Sequence, residues 1–514
     1  MRFSVKRNFW ITIILIVAIV ARIAFELAIR VFRLDYSFTE FLLLGFRYLT
    51  YLLAILVWVR IVIKSEYSVS KVPWLLLLAL EPFTGLFFFL TFGRDYRESI
   101  RYNSHPLTKD GQYLRHEPNT DFELYEYQEI DSEVTDIYKT AYNMTHHHAY
   151  LNDTAATVLR NGDVFFPRLL EELKQARDFI LMQYFIIRTD KTGRLIFNVL
   201  KEKAAAGVEV KLLYDAVGSV FLSKRYLHSL QAAGVEIAAI DPVYFGFFDT
   251  RVNYRNHRKL TIIDGRIGYI GGMNIANEYW NKSRRFPPFR DTQLEIEGKA
   301  VNSMTALFFR DWYYTTDDFI DDKRYYQAPS VEAEGLVQII PSGPDFKYPP
   351  IRNVYVKMIN NAKRSIKIMT PYLALDHEMI TSLIIAARGG VEVDLIVPGR
   401  PDKKYIYAVT RSFFQELLSE GIRIHLLNGM FSHAKVLIID DNLASCGTYN
   451  LDNRSARINF EATALLYRQG VAQLVEDFDL DRSNSMLVDP EEWAKRPLLK
   501  RIIEGIFGLF SPLV

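Results

Sequence analysis

One stretch of eight residues occurs twice. His257-Arg-Lys-Leu-Thr-Ile-Ile-Asp264 returns as His433-Ala-Lys-Val-Leu-Ile-Ile-Asp440, and the match runs on without a gap, Gly271 and Asn274 answering Gly447 and Asn450. Upstream, GVEV from Gly207 recurs from Gly390, and GVEI from Gly234 answers GIRI from Gly421. Such a chain is constrained to fold as two similar halves, because like patterns of apolar residues must bury like faces. Each half reads as a helix ending in glycine, then a buried strand, then helix and strand again, which is the grammar of βαβ units. Ser342-Gly343-Pro344 marks a boundary between them. The first half carries an extra aromatic insertion before His257, YFGFFDTRVNYR.

The repeat has a readable local structure. Asp264-Gly265 lies between two apolar runs, a hairpin-turn signal, and the carboxylates of Asp264 and Asp440 read as fixing the backbone there. His257 and Lys259 are two apart on an extended strand and project from one face. With both copies brought to one cleft, the site gathers two imidazoles, two ammoniums and the carboxamides of Asn274 and Asn450. Clustered cysteine or carboxylate ligands are missing from the motif, so neither a metal nor a cofactor is expected. The set suits phosphoryl transfer: lysines and amides hold phosphate oxygens, one histidine attacks, and the other protonates the leaving oxygen. The competing reading is a pair of core histidines on a repeated structural fold.

The first hundred residues are of another kind. Three apolar runs follow one another: Phe9 to about Phe32, Phe41 to Ile63, and Val72 to Phe92. Each is long enough to span a bilayer, which takes roughly 20 apolar residues. The first starts basic like a signal peptide but continues through Arg22, Glu26 and Arg30 without a small-residue cleavage site. Positive charges near the start and at Lys64 and Lys71 put the N-terminus inside. Glu81-Pro82 either interrupts a third span or turns it into a re-entrant hairpin. Among 514 residues the charged fraction of 24% excludes a disordered chain, and a net charge of +2 leaves no footprint for nucleic acid. The lone Cys446 excludes an internal disulfide framework.

The paired motif resembles the phospholipase D superfamily, and nearly the whole chain resembles the bacterial cardiolipin synthase family. The resemblance rests on LLLLALEPFTGLFFFLTFGR, NYRNHRKLTIIDGRIGYIGGMNIANEY, FRDT, IPSGPD, MTPYLALD, FSHAKVLIIDD and GTYNLDNRSARINFE. It implies a multi-pass protein of the bacterial cell membrane: an anchor at 1–95, α/β/α sandwich domains at 121–335 and 336–495 sharing one cleft, and a tail at 496–514. It implies transfer of a phosphatidyl group from one phosphatidylglycerol to another with release of glycerol. His257 becomes the nucleophile and His433 the acid and later base, with Lys259, Lys435, Asp264 and Asp440 in the catalytic set. Asn274 and Asn450 then hold phosphate, and Asp291 and Glu461 occupy the places of the carboxylates that orient the histidines. Two departures bear on substrate detail: Gln183 stands where glutamate is common, and Phe289 where tryptophan is usual.

Two smaller features complete the reading. His146-His147-His148 reads as a solvated loop rather than a metal site, since no other ligand converges on it. The tail from Pro497 places Leu498, Leu499, Ile502, Ile503, Ile506, Leu509 and Phe510 on one helical face. It is an amphipathic helix for a membrane interface, or one packed on the body of the protein. A hydrolase of the same superfamily, taking water as acceptor, is the rival function. A membrane scaffold has no need of two intact His-Lys pairs.

Overall fold

The computed structural model describes residues 36–63, 68–92, 130–243, 253–283 and 286–511. They fall into two compact units, one holding the helices up to residue 92 and the other holding the repeated halves. The apolar run that starts at Phe9 and the aromatic insertion Tyr244 to Phe248 lie outside the described residues.

In the first unit, helix α1 (Tyr36–Ile63) contains Leu43–Ile63, the one described segment long and apolar enough to cross a membrane. The third apolar run is not one span. It forms α2 (Ser68–Leu80) and α3 (Pro82–Phe92), with 13 and 11 residues, each short of the roughly 20 a bilayer requires. Proline has no N–H to continue α2 and sits comfortably at the first position of α3. The Glu81 carboxylate accepts from the Thr84 hydroxyl at 2.8 Å. The two helices fold back on each other, so Trp74 and Phe89 meet edge to face at 5.6 Å. Gly85 permits this approach, because a Cβ there would stand 2.7 Å from the Leu78 Cα.

In the second unit the strands before the midpoint are β1 (Ala149–Leu151), β2 (Thr154–Arg160), β3 (Phe179–Tyr184), β4 (Glu209–Asp215), β5 (Glu236–Ile240), β6 (Leu260–Ile263), β7 (Ile267–Gly271), β8 (Phe289–Arg290) and β9 (Thr292–Gly298). After it come β10 (Leu336–Ser342), β11 (Ser365–Met369), β12 (Glu392–Pro398), β13 (Arg423–Leu427), β14 (Phe431–Ser432), β15 (Val436–Ile439), β16 (Leu443–Gly447), β17 (Glu461–Tyr467) and β18 (Ser485–Leu487). One sheet runs β2-β9-β7-β6-β3-β4-β5, the other β1-β10-β17-β16-β15-β11-β12-β13-β18. The six strands β9-β7-β6-β3-β4-β5 correspond in order to β17-β16-β15-β11-β12-β13. The repeat in sequence is therefore a repeat in topology, with β3, β4 and β5 parallel as are β11, β12 and β13. Every residue of β3, β6 and β15 is buried, as expected where helices cover both faces of a sheet.

The halves are not cut cleanly at residue 335. The helix Ser132–Thr145 buries Val134, Ile137, Tyr138 and Ala141 in the core of the second half, and the Tyr138 hydroxyl donates to the Leu336 carbonyl at 3.2 Å. β1 then pairs with β10. The triple histidine belongs to this crossing segment and is not a solvated loop. His146 caps the helix in a left-handed conformation (φ 58°), and His147 and His148 are buried as the chain turns into β1. Further helices of this unit are α4 (Val301–Thr316), α5 (Lys404–Ser412), α6 (Val471–Ser483) and α7 (Leu498–Gly508).

Candidate active site

Each histidine precedes the first strand of its hairpin, at the end remote from the turn, and there a short parallel ladder crosses between the halves. Asn256 bridges Phe460, and the His257 N–H donates to the Phe460 carbonyl at 2.8 Å. β8 pairs with β14, and the His433 N–H donates to the Arg290 carbonyl at 2.7 Å. These ladders set each histidine beside the carboxylate of the other half. His257 Nδ1 lies 3.0 Å from both oxygens of Glu461, and His433 Nδ1 lies 2.6 Å from Asp291 Oδ2. A ring nitrogen facing a carboxylate carries the proton, which leaves Nε2 free to attack or to accept one.

The lysines are held with equal regularity. Lys259 Nζ donates to the His257 carbonyl at 2.6 Å, and Lys435 Nζ donates to the His433 carbonyl. Lys435 Nζ also stands 2.9 Å from His433 Nδ1. That nitrogen already donates to Asp291, so the contact acts as electrostatic pressure on the ring. The four basic groups and both carboxylates are buried. Burial pushes the Lys259 ammonium down to about 7 and the Lys435 ammonium down to about 8. Burial, with Lys435 alongside, takes the His433 imidazole down to about 3. His257 is also lowered by burial, against the opposing pull of Glu461. Burial alone would raise Glu461, but His257 and Lys259 hold it below its ordinary value. Charges of one half act on the other: Lys435 presses on His257, and Lys259 on His433.

The remaining sequence-derived candidates divide. Asn274 accepts from the Ile186 N–H at 2.9 Å and donates to the Tyr279 hydroxyl at 2.8 Å, while the buried Asn450 Oδ1 has no hydrogen-bond partner among the described residues. Asp264 and Asp440 do not belong with the catalytic groups. Each stands at the far end of its strand, in a left-handed conformation, and binds the start of a neighbouring strand. Asp264 accepts from the N–H groups of Arg177, Asp178 and Phe179 at 2.8–3.0 Å, and Asp440 from those of Lys363, Arg364 and Ser365 at 2.7–2.9 Å. Gln183 works beneath the site. Its amide donates to Asn256 at 2.9 Å and to Asp311 on α4 at 2.5 Å, and Asp311 also binds the buried Arg258 guanidinium. Phe289 stacks on the His433 ring at 5.8 Å.

Several contributors have no signal in a single copy of the motif. Phe185 meets the His257 ring edge to face at 5.0 Å, and Tyr279 meets His433 at 5.3 Å. Others become legible once the halves are superimposed. Gly272 and Thr448 occupy equivalent places. A Cβ on Gly272 would lie 2.0 Å from Asp291 Oδ1, whereas the Thr448 hydroxyl donates to Glu461 at 2.5 Å. The longer carboxylate therefore has a side-chain donor where the shorter one needs open space. Among the described residues no three His, Cys, Asp or Glu side chains converge as a metal site.

Two crossed His-Lys-carboxylate sets on a duplicated mixed sheet define an enzyme of the phospholipase D superfamily. The family model described as the PLD-like domain of cardiolipin synthase matches residues 169–312 and 355–481. The chain is 38% identical to cardiolipin synthase 2 of Bacillus anthracis over 90% of each chain. It is 36% identical to the major cardiolipin synthase of Bacillus subtilis, covering 91% of this chain and 98% of that one. Its fold is similar to that of phosphatidylserine synthase from Haemophilus influenzae, at a TM-score of 0.57 and 16% identity, over 75% of this chain and all of that one. The chain belongs to the cardiolipin synthase family of phosphatidyltransferases.

Proposed function

We propose that the chain makes cardiolipin from two molecules of phosphatidylglycerol by way of a phosphatidyl group carried on His257. The observation that supports this reading best is the crossed pairing, Glu461 on His257 and Asp291 on His433, which engages Nδ1 of each ring and leaves its Nε2 for the chemistry. Lys259, Lys435 and the carboxamides of Asn274 and Asn450 hold the phosphate oxygens, and negative phosphate restores full charge to the two depressed ammoniums. His257 Nε2 attacks phosphorus. The bond to glycerol breaks as His433, having gained its proton once the anionic phosphate is bound, gives that proton to the leaving oxygen. His433 then takes the proton of the incoming phosphatidylglycerol hydroxyl, whose oxygen displaces His257 and regenerates the site. Leu43–Ile63 supports attachment to the membrane that holds the substrate, with the folded-back α2 and α3 as a second apolar element.

Mass spectrometry of lipids from cells with and without the protein tests the reading. Cardiolipin that depends on His257 and His433 supports transfer to a lipid hydroxyl. Accumulation of phosphatidic acid in its place would make the protein a hydrolase.

A further inference from the structure

The C-terminal helix is packed the wrong way round for a protein surrounded by water. Its one acidic residue faces inward: Glu504 on α7 is 5% exposed and is gripped by Arg411 of α5 and by Arg496, each at 2.8 Å. Both guanidiniums lie over the Trp493 ring, at 4.4 and 4.7 Å. Gly508 lets the backbone come close, since a Cβ there would stand 2.9 Å from the Ser412 hydroxyl. Outward go Leu498, Leu499, Ile502, Ile506, Leu509 and Phe510, each 48–79% exposed. A normal surface helix hides these residues and shows the glutamate.

The end of this helix is tied to the segment that follows Asn450. Just beyond the helix, the Ser511 carbonyl accepts from Asn453 Nδ2 at 3.0 Å, and Asn453 lies three residues past Asn450. The first half has an apolar counterpart. In the loop after β4, the Ser219 hydroxyl donates to the Phe185 carbonyl at 3.0 Å, and Phe185 lies against His257. The next two residues, Val220 and Phe221, are 67% and 77% exposed. The equivalent loop after β12 is basic instead, with Arg400, Lys403 and Lys404 exposed, and Lys500 and Arg501 are exposed on α7. Apolar side chains interspersed with cations match an anionic bilayer, in which the side chains enter the acyl boundary and the cations meet headgroups.

We propose that α7 and the Val220-Phe221 loop together form a lipid-facing rim that seats the cleft on the surface of an anionic phospholipid bilayer. This rests on the reading that the substrate is a phospholipid, and adds the route by which it enters. The test uses the full-length protein in phosphatidylglycerol-containing vesicles. Cys446 is buried, so Leu509→Cys and Phe221→Cys can each carry a fluorophore at a single accessible thiol. Quenching by spin-labelled acyl chains at both positions is expected, with loss of quenching when α7 carries Leu499→Asp and Ile506→Asp.

The doubly substituted enzyme should lose at least tenfold of its turnover on vesicles. It should keep turnover of a water-soluble nitrophenyl phosphodiester within twofold, which shows the chemistry intact and separates failure of the rim from failure of the functional reading. A fluorophore that stays water-exposed in vesicles overturns the proposal. So does one that is buried without lipid quenching, whether by a second copy, shown by release on dilution, or by the chain's own N-terminal helices, shown by indifference to dilution.

Discussion

At the scale of single residues, the site is a balance of buried charges. On the proposed mechanism the two lysines set the basic limb of activity. As pH rises through about 7 to 8, Lys259 and Lys435 lose the charge that receives phosphate, so kcat/KM should fall there. Bound phosphodiester raises both, so the alkaline limb of kcat should lie at higher pH than that of kcat/KM. His257 is held below its ordinary value, so protonation of the nucleophile should cut activity only at pH below about 6.5. Profiles of both parameters on a soluble diester check this; coincident alkaline limbs would remove the lysines from phosphate binding. The carboxylates should matter almost as much as the rings they hold. Glu461→Gln keeps the shape but disturbs the tautomer of His257, and a loss of turnover by about two to four orders of magnitude is expected from analogous base-orienter pairs.

At the scale of elements, the hairpins and the crossing ladders divide the work. Asp264 and Asp440 serve the hairpin turn and the neighbouring strand, each holding three consecutive N–H groups. Asp264→Ala should cost about 1–3 kcal/mol of stability in a urea titration. The folded fraction should keep nearly normal kcat. A catalytic role for the aspartate would instead show as lost kcat at full stability. The turn was legible from Asp-Gly between apolar runs, whereas His257 and Lys259, read from their spacing as strand residues, lie in the extended segment that leads into β6.

What single-copy reading could not supply was which carboxylate faces which histidine. That depends on pairings between residues far apart in the chain, Asn256 with Phe460 and Phe289 with Phe431. The apolar run from Val72 reads in sequence as a third span or a re-entrant hairpin, and it is two short helices. Its division in two follows from Pro82, from Gly85 and from the contact of Trp74 with Phe89, the last of which is a tertiary event.

At the scale of the molecule, duplication is the organising fact. Each half alone has a histidine without its carboxylate and a carboxylate without its histidine; docking the halves completes both. The six-strand sheet order was foreshadowed by the repeated strings, because each string fixes the same buried strands. The crossing of Ser132–Leu151 into the second half was not, since its pattern of Val134, Ile137, Tyr138 and Ala141 suits either core. On the proposed mechanism the two histidines supply the nucleophile and the acid, and the two lysines the charge that meets phosphate. Turnover in detergent micelles should therefore survive chelators at constant ionic strength, checked by cardiolipin yield with and without a chelator. Stimulation by any cation alike would reflect screening of anionic headgroups.

The proposed mechanism gives the two histidines unequal roles, and a trapping measurement reaches them directly. A nitrophenyl phosphodiester leaves without an acid, so the His433→Ala enzyme should label itself once and then stall, for want of the base that activates the acceptor. Mass spectrometry of the quenched protein should place one phosphoryl adduct on His257, and the His257→Ala enzyme should carry none. An adduct on His433 in the His257→Ala enzyme would reverse the assignment. A wild-type enzyme that turns over steadily, yet yields no histidine adduct when quenched, would contradict the covalent route altogether.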